Sequence, residues 1–418
     1  MASRLQTGIR VSFWVAGMAV TSSAYGATRS TLDLSAGVGV SSNPSLQLDS
    51  QSSVFGRISA LGTHWWQSER TTTTLSAYGE NTTYSRGYGS KQIFDLRASS
   101  VHAVSPTLSI YGNLGFQGDV DGQLSNRFAS ATPGFNPQQP DQPAPVIDQP
   151  LPPVIVDDAT FIGLGGRQYR LSGQVGLSMR ANERGTVSLS AGAQRNFASG
   201  SQSNANFNSY FGTAAYDHQF SARTSAGFST NIQYQDYDNG LSSTVVNPLV
   251  TVSRQFSDQL QGSAAVGLLL SRQDLLGGGS DSSIDPSFSF SLCRLGERDR
   301  FCGRVSRDAR SSLGVGSGLQ ANSLAISTLA GVNYSRQLDA NQSIQASLSA
   351  VRSSTKLSSG DDLRTTYLTF LTGYDRKISQ RFAVGANAGA RKLFQAGRDP
   401  KTDINATAYL RYRFGDIE

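Results

Sequence analysis

The chain has 418 residues and a formal net charge of +6 at pH 7; 43 residues are glycine and only 16% are charged. This composition fits neither a soluble α/β enzyme nor a helix bundle, and no run reaches the roughly eighteen apolar residues that a membrane helix requires. The small positive charge, with no basic run interleaved with aromatic residues, excludes nucleic acid as a partner.

The first 26 residues have the pattern of an export signal. Arg4 and Arg10 accompany an apolar stretch from Val11 to Val20, and small residues precede a cleavage point before Ala27. We therefore predict a signal peptide at residues 1–26. No change of pattern marks a domain boundary afterwards, which predicts that residues 27–418 form a single domain.

The exported part alternates between apolar and polar residues, and short turns break the alternation every 36 to 42 residues or so, with one interval of about twice that length. The turns are Gln67 to Arg70, Ser105 to Thr107, Asn182 to Gly185, Ser221 to Thr224, Ser257 to Gln259, Gly296 to Arg300, Leu338 to Gln342 and Ile378 to Gln380. Repeated hairpins of this length predict an all-β fold, a transmembrane antiparallel β-barrel of about 18 strands, with 16 as the alternative count and with short periplasmic turns and longer extracellular loops. A soluble β-sandwich or a secreted fibre is the alternative, which is disfavoured because soluble strands are usually shorter.

One face of each predicted strand suits outer-membrane lipid. In the strand before the turn at Leu338, that face holds Leu324, Ile326, Thr328, Ala330, Val332 and Tyr334. Aromatic residues also stand at strand ends beside the short turns, as in the girdle of a membrane barrel. They are Trp65, Trp66, Phe220, Phe256, Tyr374, Tyr412 and Phe414.

The double-length interval contains a Pro-rich segment, residues 118–162, which holds eight of the 13 prolines. Such a segment is extended and lacks regular structure. It carries six aspartates against the single Arg127, and it is the third outer loop. The third loop of general porins folds inward, so we weigh a position inside the lumen against the favoured position outside the barrel.

The hairpin at residues 287–313 contains both cysteines of the chain, Cys293 and Cys302. Its turn places them opposite each other and pointing inward. We expect a structural disulfide rather than a metal or redox site, because no CxxC pair or neighbouring histidine is present. The same register puts Arg307 on the lipid side, which is costly. A bulge, or a position outside the membrane, would relieve that cost, and the register stays open.

The last predicted strand, Ile404 to Phe414, is apolar on one face and ends in two arginines on the other. Arginines recur on the inward faces of other strands, which predicts a net positive lumen that attracts carboxylates and phosphates. The predicted pore-lining residues are Arg57, Arg97, Arg170, Arg180, Arg304, Arg310, Arg381, Arg391, Arg411 and Arg413. We expect only a few inward acids, such as Asp95, Asp217, Asp308 and Asp375, and sparse inward aromatic residues. The alternative is that the arginines pair with these acids and with carbonyls, and merely fill the lumen.

No constellation for catalysis is visible in the sequence. His64, His102 and His218 lie near the inner ends of strands, and no nucleophile with a base, paired carboxylates or metal-ligand spacing accompanies them. We therefore predict no enzymatic activity, no metal and no cofactor.

The first strand carries a resemblance to a known family. Within residues 34–46, Gly39, Asn43 and Pro44 are similar to the first strand of β-barrel porins associated with bacterial exopolysaccharide loci, although Val40 and Ser41 replace the family's Tyr-Asp pair. The resemblance implies a passive conduit that exports an anionic exopolysaccharide, with other components of a polysaccharide secretion system as partners. Two alternatives remain: an uptake porin for small anions or oligosaccharides, and a structural or adhesive barrel.

Overall fold

A computed structural model describes residues 27–44, 46, 51–86, 88–120, 125–126, 156–157, 167–199, 206–238, 240–274, 278–313, 322–356 and 362–415. Regular structure in these ranges consists of β-strands. The strands are β1 Ala27–Ser41, β2 Ser53–Gln67, β3 Thr71–Tyr84, β4 Ser90–Ser105, β5 Leu108–Val120, β6 Ser125–Asn126, β7 Val156–Asp157, β8 Arg167–Arg180, β9 Gly185–Ser199, β10 Phe207–Ser221, β11 Thr224–Tyr237, β12 Ser242–Gln255, β13 Leu260–Asp274, β14 Ser280–Leu295, β15 Asp299–Leu313, β16 Asn322–Gln337, β17 Gln342–Lys356, β18 Asp362–Lys377, β19 Phe382–Gln395 and β20 Lys401–Gly415.

Eighteen of these strands form one closed antiparallel barrel, which confirms the predicted fold. Each strand pairs with its neighbour in sequence, β5 pairs with β8, and β20 returns to pair with β1. The two-residue strands β6 and β7 form a separate ribbon within the Pro-rich segment, whose remaining predicted loop lies outside the described residues. The predicted signal peptide also lies outside them.

The connections at one end of the barrel, where β1 starts and β20 ends, are two to four residues long, whereas those at the other end have four residues or more. Bacterial outer-membrane barrels place their short turns in the periplasm, so the end with the short connections is the periplasmic end. We call the half of the barrel toward the long connections the outer half and the other the periplasmic half. The eight predicted turns fall at the periplasmic end, as the sequence indicated.

The outside of the barrel is apolar, and the protein is located in the outer membrane. Large side chains on alternate positions stand free of protein contact, with Val38 66%, Ile58 67% and Ile284 73% exposed. A ring of strands with an apolar outer face satisfies its backbone hydrogen bonds internally, as hydrocarbon requires. Exposed Trp66, Phe220 and other aromatic residues mark the periplasmic rim, whereas Trp65, which lies opposite Arg29, faces inward. In the described part of the chain, no helix is long and apolar enough to cross a bilayer.

The inward side chains are packed tightly in the outer half. Phe207 is 0% exposed, while Tyr367 and Leu269 are each 1% exposed, although all three lie on the lumen side of the wall. An inward side chain in a wide water-filled tube would be exposed to water. Protein therefore fills much of the space beside these walls.

The ladder between β14 and β15 is the shortest between neighbouring barrel strands in the described residues. It contains eight pairs and ends at Phe288 and Arg307, whereas every other ladder of the barrel has at least eleven. Pro286 lies two residues beyond the last pair, and proline has no backbone N–H to donate to a ladder. The outer parts of β14 and β15 therefore separate.

Beyond this point the outer parts of β15 and β16 lie against the inner face of the preceding strands. Ala309 and Ile326 pack against Val245 and Leu269, which are inward residues of β12 and β13. The prediction that Ile326 faces lipid is therefore wrong, because the alternation of a strand reports lipid only while the strand stays in the outer layer. Thr328 likewise lines a polar cavity beneath this overlap.

Arg307 does not face lipid. Its Nη2 atom lies 3.2 Å from Oδ1 of Asp285, an inward residue of β14, so the open question about this hairpin is resolved by the overlap of the two layers.

Candidate functional site

The lumen wall of the outer half and the middle carries four of the predicted arginines, and each has a partner on the wall. The pairs are Arg57–Glu80 at 3.4 Å, Arg97–Asp95 at 2.9 Å, Arg170–Asn196 at 3.1 Å and Arg391–Asp403 at 2.6 Å. Three of these partners are carboxylates, which cancel the guanidinium charge at short range and weaken its field in the lumen. The wall also has more acids than expected, since Glu80 and Asp403 were not among the predicted inward acids.

Asp403 is the most heavily bonded carboxylate of the described wall. It is 0% exposed, and Arg391 donates to its Oδ2 from Nε at 3.1 Å and from Nη2 at 2.6 Å. Ser41 Oγ donates to Oδ1 at 2.6 Å, and the backbone N of Asn43 donates to Oδ1 at 2.9 Å. Asn405 donates to Oδ2 at 3.1 Å. A buried charge is tolerated only with such compensation.

The residues that follow β1 enter the barrel at this carboxylate. We call the described residues Ser42, Asn43, Pro44 and Leu46 the strap. Arg391 Nη2 donates to the carbonyl oxygen of Pro44 at 3.3 Å, and Asn43 O accepts a bond from the backbone N of Leu46 at 3.1 Å. The strap thus makes a turn fixed to β19 and β20.

Leu46 ends the strap in an apolar cluster on the inside of the wall. It is 2% exposed and packs with Val351, Tyr367 and Leu393, which are inward residues of β17, β18 and β19. Its φ of 50° lies in the left-handed region, which side chains rarely adopt without compensation. Packing in the cluster supplies that compensation.

The periplasmic half carries basic residues with less compensation. Arg411 lies 3.1 Å from Asp375, to which Tyr409 also donates, and Arg413 lies 2.7 Å from Asp33. The side chains of Arg180, Arg304 and Arg381 are exposed, and no described residue pairs with them. Arg310 belongs to β15, but its side chain lies outside the described part.

A concave pocket of about 400 Å³ lies at the periplasmic rim, beside the turns after β14, β16 and β18. We call it the vestibule. Its charged lining residues are Arg298, Arg300, Arg336, Lys377, Arg381, Arg411 and Arg413 on the basic side, and Glu297, Asp299 and Asp375 on the acidic side. The excess of four positive charges at a water-filled mouth attracts anions. The sequence analysis did not name Arg298, Arg300, Arg336 and Lys377, which lie in or beside turns; only their clustering near three turns could have indicated them.

Inward aromatic residues are more frequent than the sequence indicated, so the expectation of a sparse set is wrong. They include Phe55, Tyr84, Tyr111, Phe207, Phe211, Tyr237, Tyr367 and Tyr409. Several are packed rather than presented to water: Phe55 lies 5.6 Å from Tyr84, and Phe207 lies 5.5 Å from Tyr237, between ring centroids. These packed pairs help to fill the outer half and do not form a stacked track, whereas Tyr111 lies toward the periplasmic end.

Cys293 and Cys302 lie opposite each other in the ladder of β14 and β15, on the lumen side, and form a disulfide with a Cα–Cα distance of 4.1 Å. The described residues contain no group of histidine, cysteine and carboxylate side chains that could hold a metal ion.

The closed strand order, the apolar outer face and the polar, charged lumen define an outer-membrane β-barrel. No protein-family model and no curated protein matches the sequence. Solved structures with a similar fold include Pseudomonas aeruginosa OpdL, at 11% identity and a TM-score of 0.43, with 93% of this chain and 99% of that chain covered. The copper transporter OprC has 12% identity, a TM-score of 0.46, and 94% and 81% coverage. A bacterial polysaccharide outer membrane secretin has 10% identity, a TM-score of 0.36, and 92% and 98% coverage.

Proposed function

We propose that this protein is an outer-membrane channel that takes an anionic exopolysaccharide from the periplasm through its basic vestibule and releases it outside the cell. The observation that carries the proposal is the distribution of charge along the lumen. Arginines of the outer half are held by carboxylates, whereas the vestibule has seven basic and three acidic residues at the periplasmic mouth. Anions are therefore concentrated where a polymer made inside the cell would arrive.

Passage of a charged polymer needs many weak sites rather than one tight site, because a tight site would stall movement. The vestibule meets this requirement, since its cations lie on several turns and strand ends and some of them are already paired. Arg411 and Arg413, for example, share their charge with Asp375 and Asp33. Such arginines bind a passing carboxylate only by competing with a resident one.

Uptake of small anions is the second candidate function, and the packing of the outer half favours it. Phe207 and Tyr367 are almost fully buried on the lumen side, which leaves less space for a polymer than the strand number alone suggests. The same vestibule would serve this function, so the two candidates differ in the size of the passenger and not in its charge.

The test is a planar-bilayer measurement on the purified barrel. We expect anion-selective current in a KCl gradient, and block of that current by polygalacturonate but not by neutral dextran added to the periplasmic side. Replacing three uncompensated inward arginines, Arg300→Ser with Arg304→Ser and Arg381→Ser, should reduce both the selectivity and the block.

The matched control replaces three outward arginines at the same end: Arg254→Ser, Arg294→Ser and Arg376→Ser. It should leave selectivity and block unchanged. Anion selectivity without polymer block would overturn export and support uptake of small anions. A silent or cation-selective barrel would overturn both candidates.

A further inference from the structure

The strap crosses the inside of the barrel at its outer end. It leaves β1, bonds to Asp403 of β20 and Arg391 of β19, and places Leu46 in the cluster with Val351, Tyr367 and Leu393. These residues belong to β17, β18 and β19, which are neighbours around the ring, so the turn of the strap lies on the inner wall beside these strands. A connection that stayed outside the barrel could not reach the inward residues of β17.

Two kinds of contact hold the strap in that position. The polar contacts are the bonds that Ser42 Oγ and the backbone N of Asn43 donate to Asp403, and the bond that Arg391 donates to Pro44 O. The apolar contact is the burial of Leu46 in its cluster, which offsets the unfavourable left-handed backbone at that residue. Neither kind of contact is required to close the barrel, since the β1–β20 ladder is complete from Thr31 to Ser41 without the strap.

We propose that the strap is the constriction element of the channel and sets the largest cross-section that can pass. The inference depends on the proposed channel function but not on the charge of the passenger. Backbone and side chains that lie against the inner wall reduce the free cross-section at the outer end, and Leu46 and Tyr367 present their apolar surface to each other rather than to water. The vestibule therefore selects by charge, and the strap selects by size.

The test uses uncharged solutes, so that it is independent of the anion selectivity. Single-channel conductance is measured in the presence of polyethylene glycols of increasing mass, and the exclusion limit is the mass above which the polymer no longer lowers the current. Deleting residues 43–46 should raise the conductance by about two-fold or more and shift the exclusion limit to larger polymers. Leu46→Ala, which keeps the polar contacts, should also raise the conductance and the exclusion limit, but by a smaller amount than the deletion.

The matched control is Leu241→Ala, which truncates a buried leucine in the connection between β11 and β12, away from the strap. It should leave the exclusion limit unchanged. Folding of each variant is checked by the electrophoretic shift between unheated and heated barrel, and if the deletion does not fold, Leu46→Ala alone decides. An exclusion limit equal to that of wild type in the folded strap variants would overturn the proposal. A raised limit in a barrel without anion selectivity would support the constriction while overturning the proposed function.

Discussion

At the scale of single residues, Asp403 connects the strap to the wall of the barrel. Its two oxygens accept bonds from a strap backbone N–H, from serine hydroxyls and from a guanidinium, and the side chain is fully buried. Removing one member of a buried ion pair leaves the other charge buried without compensation. The carboxylate therefore matters more for stability than an exposed ion pair such as Arg223–Asp258.

We predict that Asp403→Ala lowers the free energy of unfolding by about 3 kcal/mol, because Arg391 loses its partner and the backbone N–H of Asn43 loses its acceptor. Urea unfolding of the barrel in lipid vesicles measures the change. The control is Asp258→Ala, which breaks the exposed pair with Arg223 and should have no measurable effect. Equal midpoints for the two variants would contradict the structural role of Asp403.

Sequence reasoning located the inward arginines more readily than their partners. Arg391, Arg411 and Arg413 lie in regular alternation, which a strand pattern reveals. Asp403 stands one residue before the last predicted strand, and the structure extends that strand back to Lys401. A carboxylate at a strand end has the same appearance in a sequence as a loop residue, and only the arrival of the strap from the other end of the chain gives it a role.

At the scale of elements, the β14–β15 hairpin combines the shortest ladder described within the barrel with the disulfide. Eight pairs join the two strands near the periplasm, and Cys293 and Cys302 lie within those pairs. The outer parts of the strands are separated, so cross-strand bonds there do not support the hairpin. The disulfide therefore stabilises the part of the wall that has the fewest hydrogen bonds between strands.

We predict that Cys293→Ser with Cys302→Ser destabilises this hairpin by about 2–3 kcal/mol, the size expected for a short disulfide loop. Amide hydrogen exchange should become faster in β14 and β15 and stay unchanged in β17 and β18, which are joined by a full ladder of fifteen pairs. A uniform change in both regions, or none in the hairpin, would contradict this prediction.

The strands also show where the alternation of apolar and polar residues stops indicating which side faces lipid. The pattern predicted the number of strands, the turns and most of the lipid face, because each depends on local alternation. It gave the wrong surroundings for Ile326 and Thr328, because the overlap of β15 and β16 with the preceding strands depends on contacts between residues distant in sequence. No local rule contains that information.

At the scale of the whole molecule, the lumen has two unlike halves. The outer half is densely packed and its arginines are largely compensated, whereas the periplasmic half keeps exposed cations such as Arg304 and Arg381. If the protein exports a polymer as proposed, the polymer would meet the charged half of the lumen before the more closely packed half.

We predict that anion selectivity falls as salt concentration rises. The Debye length shortens from about 10 Å at 0.1 M to about 3 Å at 1 M, so the field of the vestibule reaches less of the lumen. Reversal potentials in matched KCl gradients around these two concentrations measure the change. Selectivity that is equal at both concentrations would show that the vestibule cations do not produce it, and the triple variant at Arg300, Arg304 and Arg381 should show little salt dependence.

The pairing of β1 with β20, which closes the barrel, also determines when the strap can bind to the inner wall. Thr31 to Ser41 of β1 pair with Asn405 to Gly415 of β20, so closure must wait for two segments that lie more than 360 residues apart in the chain. Contacts of such long range form late in folding, because the entropy of closing the loop opposes them. The carboxylate that receives the strap stands at that same junction. Assembly of the wall and narrowing of its outer mouth are therefore a single late event, and an unclosed intermediate in the membrane would have neither.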